Sequence, residues 1–375
     1  SILEASSDLP IFSQTFVSRV EGVLGLFRAV SAEIAEAIGA VLSEEAGARL
    51  AERPTVDPRV IEYVLLGNHH RRLFTPEDFN IALDYFEAAL AIDSLYAPAY
   101  QGAANVWWFR VQAGLVDQSE AREITRPYQE KARELDPGLA GDPCRETTGL
   151  FWFGWEYEQA MENTVRCLDQ EPDRASTRAF YGHMLMIMGR PEEAREQGEL
   201  AVQLAPVDPF VRGLYGAILA FTGPPEEGIQ VLEAMFENNP DAGFGYGPLE
   251  MAYRRAGLAD EETRVYRAEM EINGWDWVVT AMDQGMAAGG SLEARRRAAE
   301  ALDDRFEETH VPAFWIAKLY RDVGEVEKAL DWLERALEQH DSNLPYIGLL
   351  DWNELYDHPR FQAVAEEIGV PLLGG

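Results

Sequence analysis

Prolines recur along this chain at a nearly constant interval. Pro137, Pro172, Pro206 and Pro240 lie 35, 34 and 34 residues apart, and each follows a stretch with helical spacing of its apolar residues. Because proline cannot continue a helix, these positions end helices at regular intervals. A fixed interval between helix ends indicates that the chain is built from repeated units of similar structure. Such units stack on one another, and each buries its apolar face against its neighbours.

Small residues occupy matching positions in the stretches before these ends. In VEKALDWLERALEQHD (326–341), Ala329 and Ala336 lie seven residues apart, and in PEEAREQGELAVQLAP, Ala194 and Ala201 have the same separation. Small side chains on one face allow two helix backbones to approach closely. We therefore interpret these positions as contact points between stacked helices.

A second helix precedes each of these stretches. FYGHMLMIMGR (180–190) and AKLYRDVGE (317–325) both contain a glycine before the turn, and glycine supplies the left-handed conformation that ends a helix. Two helices in a period near 34 residues are the tetratricopeptide signature. The sequence therefore predicts an all-α, right-handed α-solenoid of seven to eight helix pairs. The predicted pairs are 57–94, 97–137, 141–172, 175–206, 209–240, 243–274, 277–307 and 310–341.

The remaining segments are predicted to cover the ends of the stack. An amphipathic helix at about 19–43, within an N-terminal segment 1–56, is expected to cap the first pair, because a terminal repeat needs a cover. The alternative is that it pairs with a second copy, so both monomer and dimer are left open. Residues 57–341 are the predicted solenoid, and 342–375 are the predicted C-terminal cap.

The repeats resemble tetratricopeptide repeats (TPRs) over about residues 57–341, and the chain ends carry a narrower likeness. SILEASSDLPIFSQTF, AVSAEIAEAIGAVL, ERPTVDP and IALDYFEAALAID, with the closing DHPRFQAVAEEIGVP (357–371), resemble the C-terminal half of certain bacterial multidomain regulators. In that group a TolB-like α/β domain precedes the repeats, often behind an adenylate cyclase or winged-helix output domain. Residues 1–16 resemble the last strand of the TolB-like domain. The resemblance implies sensing or scaffolding by protein–protein contact, with no catalytic residue carried over.

The charge balance excludes one large class of partner. With 65 acidic against 32 basic residues, the net charge is −33, whereas nucleic-acid binding depends on positive side chains that neutralise phosphates. No stretch of the sequence approaches the roughly 18 continuous apolar residues of a membrane span. The sequence predicts neither a nucleic-acid partner nor a membrane segment.

The first helix of each pair is expected to line the concave groove of the superhelix. Aligning the units places more basic than acidic residues there, in contrast to the acidic chain as a whole. The main prediction is a scaffold or sensor domain that binds a peptide or protein segment in this groove, within a bacterial signalling or regulatory protein. Asn105, Arg145 and Arg254 are candidates to clamp a peptide carboxylate or an acidic segment through charge-assisted hydrogen bonds. The alternative is that these arginines pair with Glu residues on adjacent helices. The full set of predicted groove residues is Gln101, Asn105, Trp108, Arg145, Trp152, His183, Met186, Arg254, Phe314, Lys318 and Arg321.

The alternative function is a small-molecule-sensing regulatory domain that uses an aromatic-rich pocket in the middle repeats. The runs WFR (108–110) and FWFGW (151–155) offer rings for an aromatic cage around a cation, although packing between repeats is the favoured interpretation. The two functions differ in the shape they require. A scaffold needs an open, elongated groove, and a sensor needs a closed apolar pocket with a few converging polar groups.

Neither the cysteines nor the histidines predict a metal site. Cys144 and Cys167 lie on the two helices of one pair. A disulfide is geometrically possible there if the domain is exported, but free buried thiols are the expectation. Two cysteines in 375 residues do not make a disulfide framework, which favours a reducing compartment such as the cytoplasm. His69 and His70 point about 100° apart on a helix, so they cannot share one ion. Hydrolase, zinc-protease, phosphate-loop and dinucleotide motifs are missing, and the prediction is no enzyme, no cofactor and no metal.

Overall fold

The structure is a computed structural model that describes residues 2–3, 10–12, 56–139 and 142–373. Two short strands, β1 (Ile2–Leu3) and β2 (Pro10–Phe12), pair antiparallel. All other regular structure in the described residues is helical. The predicted capping helix at 19–43 lies outside the described residues.

Sixteen α-helices follow one another through the described part of the chain, and fifteen of them form eight helix–turn–helix pairs. The helices are α1 Pro58–Leu73, α2 Pro76–Ile92, α3 Ala97–Gln112, α4 Gln118–Leu135, α5 Pro143–Thr148, α6 Tyr157–Gln170, α7 Ala175–Ile187, α8 Pro191–Leu204, α9 Pro209–Thr222, α10 Pro225–Asn238, α11 Tyr246–Arg255, α12 Ala259–Ile272, α13 Asp276–Arg305, α14 Ala313–Asp322, α15 Val326–Glu338 and α16 Pro359–Ile368. The pairs, counted first to eighth, are α1/α2, α3/α4, α5/α6, α7/α8, α9/α10, α11/α12, the two halves of α13, and α14/α15. They coincide with the eight predicted pairs, so the all-α solenoid is confirmed. Among the helices described, none is both long enough and apolar enough to cross a membrane.

Two of the pairs depart from regular helix geometry. In the third pair, α5 continues directly into a π-helical turn, Gly149–Phe153. In the seventh pair, α13 is broken at Gly289 and Gly290, whose backbone angles are not helical. The break is the turn between the two predicted helices of this pair. Three short 3₁₀ helices complete the secondary structure: Pro137–Leu139, Leu344–Gly348 and Leu350–Leu355.

Small residues mark the contacts between neighbouring helices. Ala329 and Ala336 are both fully buried, as their spacing predicted. At Gly228, an added Cβ would lie 2.5 Å from the Cβ of Ala220 on the preceding helix, which is far inside the optimal separation of two carbon atoms. The interpretation of such positions as contact points between helices is confirmed.

Cys144 and Cys167 form a disulfide between α5 and α6, with their Cα atoms 4.8 Å apart. The expectation of free thiols was therefore wrong. The turn between the two helices brings the start of α5 next to the end of α6, and the two cysteines lie at these ends. The cysteines therefore give no support to a reducing compartment.

The stack curves until its first and sixth pairs meet. The backbone N–H of Gly243 donates to the carbonyl oxygen of Leu73 over 2.6 Å, and the rings of Phe74 and Phe244 pack edge to face with centroids 5.6 Å apart. The C-terminal segment also reaches the concave side, where the hydroxyl of Tyr346 contacts side chains of the third and fourth pairs. The concave side is therefore a partly enclosed chamber.

Candidate ligand-binding chamber

A cavity of about 170 Å³ lies where the first helices of several pairs converge. At the ~10–15 Å³ that one water molecule needs, it has room for on the order of ten waters, or one small organic molecule. Most of its walls come from the first helices of the third to sixth and eighth pairs. The residues that line this chamber are Phe74, Gln112, Trp152, Phe180, His183, Met186, Phe210, Leu214, Ala217, Phe221, Gly243, Phe244, Gly245, Tyr246, Gly247, Pro248, Met251, Glu269, Phe314, Trp315, Lys318, Ser342, Asn343 and Tyr346.

The walls are mainly aromatic, with ten phenylalanine, tyrosine and tryptophan residues among the lining side chains. Helical spacing brings them together. On α9, Phe210, Leu214, Ala217 and Phe221 recur every three or four residues and so share one face. The ring of Phe210 packs on that of Phe244 from the next pair, with centroids 4.9 Å apart. Contacts of this kind join successive pairs into one continuous apolar wall.

Phe74 enters the chamber from the turn between α1 and α2. Its φ of 62° is left-handed, a conformation that costs a residue with a side chain roughly 1–2 kcal/mol. The corresponding turns of the fourth, sixth and eighth pairs use Gly189, Gly257 and Gly324 in this conformation. An aromatic residue at a position suited to glycine indicates that its ring contacts, such as that with Phe244, determine the residue type.

A neutral hydrogen-bonded group fastens the C-terminal segment to the chamber wall. The indole N–H of Trp152 donates to the hydroxyl of Tyr346 over 3.2 Å, and Nε2 of His183 lies 2.9 Å from the same oxygen. Burial lowers the pKa of His183 to about 4, so its imidazole is neutral at pH 7. These three side chains position Tyr346 without placing a charge in the chamber.

Glu269, on α12, is the acidic residue of the chamber lining. Within the described residues, no hydrogen bond or ion pair reaches its carboxylate. Burial raises its pKa to about 7; the charge of Lys318 opposes this rise, and that of Glu250 adds to it. A partly buried carboxylate without a partner is unfavourable in the empty chamber. The negative charge of Glu269 is therefore available to pair with a ligand.

A buried charge cluster, consisting of Glu250, Glu262, Arg295, Lys318 and Asp322, lies next to Glu269. Arg295 contacts Glu262 at 2.8 Å, Glu250 at 3.2 Å and the carboxylate of Asp322. Nζ of Lys318 donates to Oε2 of Glu250 over 2.6 Å. The cluster joins the sixth, seventh and eighth pairs through charges that are removed from water.

Asp322 receives the most positive charge of the acids in this cluster. Besides Arg295, its carboxylate contacts Arg254 at 2.7 Å and Arg321 at 2.6 Å. Burial alone would raise the pKa of Asp322, but the charges of Arg321, Arg295 and Arg254 together lower it to about 2. Asp322 is therefore ionised at any ordinary pH, and it forms ion pairs with Arg254, Arg295 and Arg321.

The carboxylates of Glu250, Glu262 and Asp322 have the spacing of metal ligands, because their oxygen atoms lie within 4.8 Å of one another. The guanidinium of Arg295 contacts all three. It already supplies the positive charge that a cation would bring to this position. The arrangement is a structural ion cluster and does not support a metal site.

Some of the predicted groove residues are brought together at the chamber and others are not. Those that line it are Trp152, His183, Met186, Phe314 and Lys318. Those outside the lining are Gln101, Asn105, Trp108, Arg145, Arg254 and Arg321. The role of either set in peptide binding stays a prediction.

The two arginines of the predicted carboxylate clamp already have partners within the chain. Arg145 pairs with Asp142 at 2.7 Å, and Arg254 is bound by Asp322. Trp108 packs on the ring of Phe153, with centroids 4.8 Å apart, which agrees with packing between repeats. A peptide carboxylate would have to compete with the chain's own acids for these arginines.

Sequence reasoning missed three residues that shape the chamber: Phe74, Glu269 and Tyr346. A signal was available for Phe74, which stands in a turn where other pairs have glycine. Glu269 has no such signal, because an acid on a second helix is ordinarily a solvated residue. Tyr346 lies beyond the last repeat, where the periodicity gives no register.

Comparisons with known proteins give likenesses of fold. No family model matches the sequence, and no curated protein matches it significantly. A TPR protein from Parabacteroides merdae is 12% identical with a TM-score of 0.34, covering 83% of this chain and 99% of that chain. Yeast Tom70 is 11% identical with a TM-score of 0.39, covering 85% and 69%. YrrB, described as a TPR protein with an unusual peptide-binding site, is 18% identical with a TM-score of 0.25, covering 58% and 86%. At such low scores, the TPR-like assignment of this chain rests on its own helix pairs.

Proposed function

We propose that this chain is a non-catalytic binding module that takes a small ligand into the aromatic chamber. The observation that carries the proposal is the enclosure of the concave side by Phe74, Phe244 and Tyr346. A partly enclosed apolar pocket with a few polar groups is the usual form of a small-molecule site. Of the two functions considered from the sequence, this is the sensor.

The peptide-binding scaffold has weaker support on the concave side. An extended peptide needs an open groove, whereas contacts between the first and sixth pairs cross the concave side of this chain. In the sensor proposal, residues 342–373 act as the C-terminal cap that holds Tyr346 at the chamber. Ligand binding would then serve a regulatory protein, as the resemblance of the chain ends implies.

The test is a screen of the purified chain against small organic molecules of neutral, cationic and anionic character. Binding at a hundredfold excess over Kd stabilises the folded state by about 2.7 kcal/mol, which thermal unfolding detects. Trp152 and Trp315 line the chamber, so a bound molecule also changes the tryptophan emission.

A variant that fills the chamber separates this site from any other. Gly247 lines the chamber, and a Cβ added there would meet nothing within 4 Å, so Gly247→Phe adds bulk without a backbone clash. We expect it to abolish binding, while Leu204→Phe, at an exposed position of α8, leaves binding unchanged. Hits that survive Gly247→Phe, or the complete lack of hits, would contradict the proposal. If the chain binds peptides and Gly247→Phe does not affect that binding, the binding site lies on the outer surface and not in the chamber.

A further inference from the structure

The aromatic lining of the chamber bears on the charge of a ligand as well as on its size. The face of an aromatic ring carries the negative part of its quadrupole, and ten such residues line the cavity. Ring faces attract an ammonium group, most strongly when the group is removed from water. The same faces repel a carboxylate.

The wall also carries one negative charge that makes no hydrogen bond or ion pair within the described residues. Lys318 lines the chamber, but its Nζ donates to Glu250 over 2.6 Å and lies 5.2 Å from the ring centroid of Tyr266. Its charge is thus bound within the buried charge cluster. The carboxylate of Glu269 has neither a hydrogen bond nor an ion pair in the part of the chain that the structure describes.

We propose that the chamber selects a monovalent organic cation, with Glu269 as its counter-ion and the aromatic rings around its apolar body. This inference rests on the proposed function. The fitting class is an amine or quaternary ammonium compound with about ten non-hydrogen atoms, given the volume of the cavity. A neutral ligand would leave the Glu269 carboxylate desolvated and unpaired. Mg²⁺ and Ca²⁺ need six or more oxygen ligands, which a largely aromatic wall does not provide.

Glu269 also makes the binding depend on pH. The titratable groups around it are Lys318, Glu250, Tyr246 and Tyr266. Burial raises the pKa of both tyrosines. Burial lowers the pKa of Lys318, but Glu250 and Glu269 more than reverse this, so these three keep their charge state between about pH 6 and 8. The pKa of Glu269 is about 7, and the affinity for a cation is expected to rise as this carboxyl ionises.

The test uses three probes of nearly equal shape. Benzyltrimethylammonium is a permanent cation, neopentylbenzene is its neutral isostere, and phenylpropionate is an anion. Each is titrated into the full chain and into Glu269→Gln, with tryptophan emission as the readout. We expect the cation to bind about tenfold more tightly than its neutral isostere. In Glu269→Gln the part of this preference that comes from the carboxylate is lost and only the attraction of the rings remains, so the preference falls several-fold. The neutral isostere binds as before, which shows that the variant is folded.

The pH series provides a second readout. Because benzyltrimethylammonium does not titrate, its affinity should rise from pH 6 to 8 in the natural sequence and stay flat in Glu269→Gln. Glu271→Gln, at an exposed position on the same helix, should behave like the natural sequence. Equal binding of the cation and its neutral isostere, or a preference for phenylpropionate, would overturn the inference while leaving the chamber as a binding site. If none of the three probes binds, the proposed function itself fails.

Discussion

The backbone N–H of Gly243 donates to the carbonyl oxygen of Leu73 over 2.6 Å, and this hydrogen bond joins the sixth helix pair to the first. In a solenoid each pair ordinarily contacts only its neighbours. A contact between such distant pairs fixes the curvature of the stack. The chamber depends on it, because the adjacent Phe74 and Phe244 form part of the wall.

Gly243→Ala is expected to weaken this closure. An added Cβ would lie 2.3 Å from the carbonyl oxygen of Phe74, and a backbone atom cannot move away alone. Overpacking of this kind lowers the free energy of unfolding by about 1–3 kcal/mol, measured by chemical denaturation. The matched control is Gly247→Ala, where the added Cβ meets nothing within 4 Å. Equal stability of the two variants would show that the contact between the first and sixth pairs can shift to accommodate the added methyl group at little cost in free energy.

The repeat architecture could be predicted from the sequence because each of its signals is local. Helix-ending prolines and small residues such as Ala329 and Ala336 report on a single pair or its neighbour. The same information places the first helices on the concave side. Five of the eleven predicted groove residues line the chamber, and their role in binding stays a prediction.

The closure could not be predicted, because it results from small rotations accumulated over six pairs. A change of a few degrees per pair would separate Phe74 from Phe244, and no residue encodes that sum. The buried charge cluster was also missed. Glu250 and Asp322 lie on helices of different pairs, and they meet only because the fold brings Arg295 from a third pair between them.

Removal of Arg295 tests the buried charge cluster. Arg295→Met removes the partner that Glu250, Glu262 and Asp322 share, and it takes from the buried Glu262 its ion pair. An uncompensated buried charge costs about 3–5 kcal/mol of stability. Arg360 is the matched control, since it also contacts three carboxylates but is partly exposed to solvent. Because water screens such surface pairs, Arg360→Met should cost at most about 1 kcal/mol. Similar losses for both variants in urea denaturation would contradict a special role of the cluster.

Reduction of the disulfide is expected to destabilise the third pair. The bridge between Cys144 and Cys167 closes a loop with a sequence separation of 23, and the loss of such a constraint costs about 3 kcal/mol by the loop-entropy estimate. Thermal unfolding with and without dithiothreitol measures the effect. The double variant Cys144→Ser and Cys167→Ser should melt like the reduced protein and be insensitive to dithiothreitol; a melt like that of the oxidised protein would refute the prediction.

Glu269 is expected to make the empty protein less stable as the pH rises. Its pKa is about 7 in the folded state against 4.5 as the ordinary value, so the folded state holds a proton that the unfolded state has lost between these pH values. Stability from this group is therefore fully present below about pH 4.5 and is lost as the pH rises to about 7. Glu269→Gln removes the loss and should stabilise the protein at pH 8 by ~1–3 kcal/mol, with little change at pH 5.

The control for this titration is Glu271→Gln, two residues further along α12, where the carboxylate is exposed and pairs with Arg267. Glu271→Gln should keep the pH dependence of the natural sequence, because the side chain at this position is exposed to water in the folded protein as well as in the unfolded one. Glu262, whose pKa burial also raises to about 7, continues to titrate in both variants, so Glu269→Gln should reduce the slope without abolishing it. Parallel stability curves for the natural sequence and Glu269→Gln from pH 5 to 8 would mean that the Glu269 carboxylate is hydrated in the empty chamber. The same curves repeated with benzyltrimethylammonium bound should lose the Glu269 contribution, because a cation in contact with the carboxylate lowers its pKa toward the ordinary value.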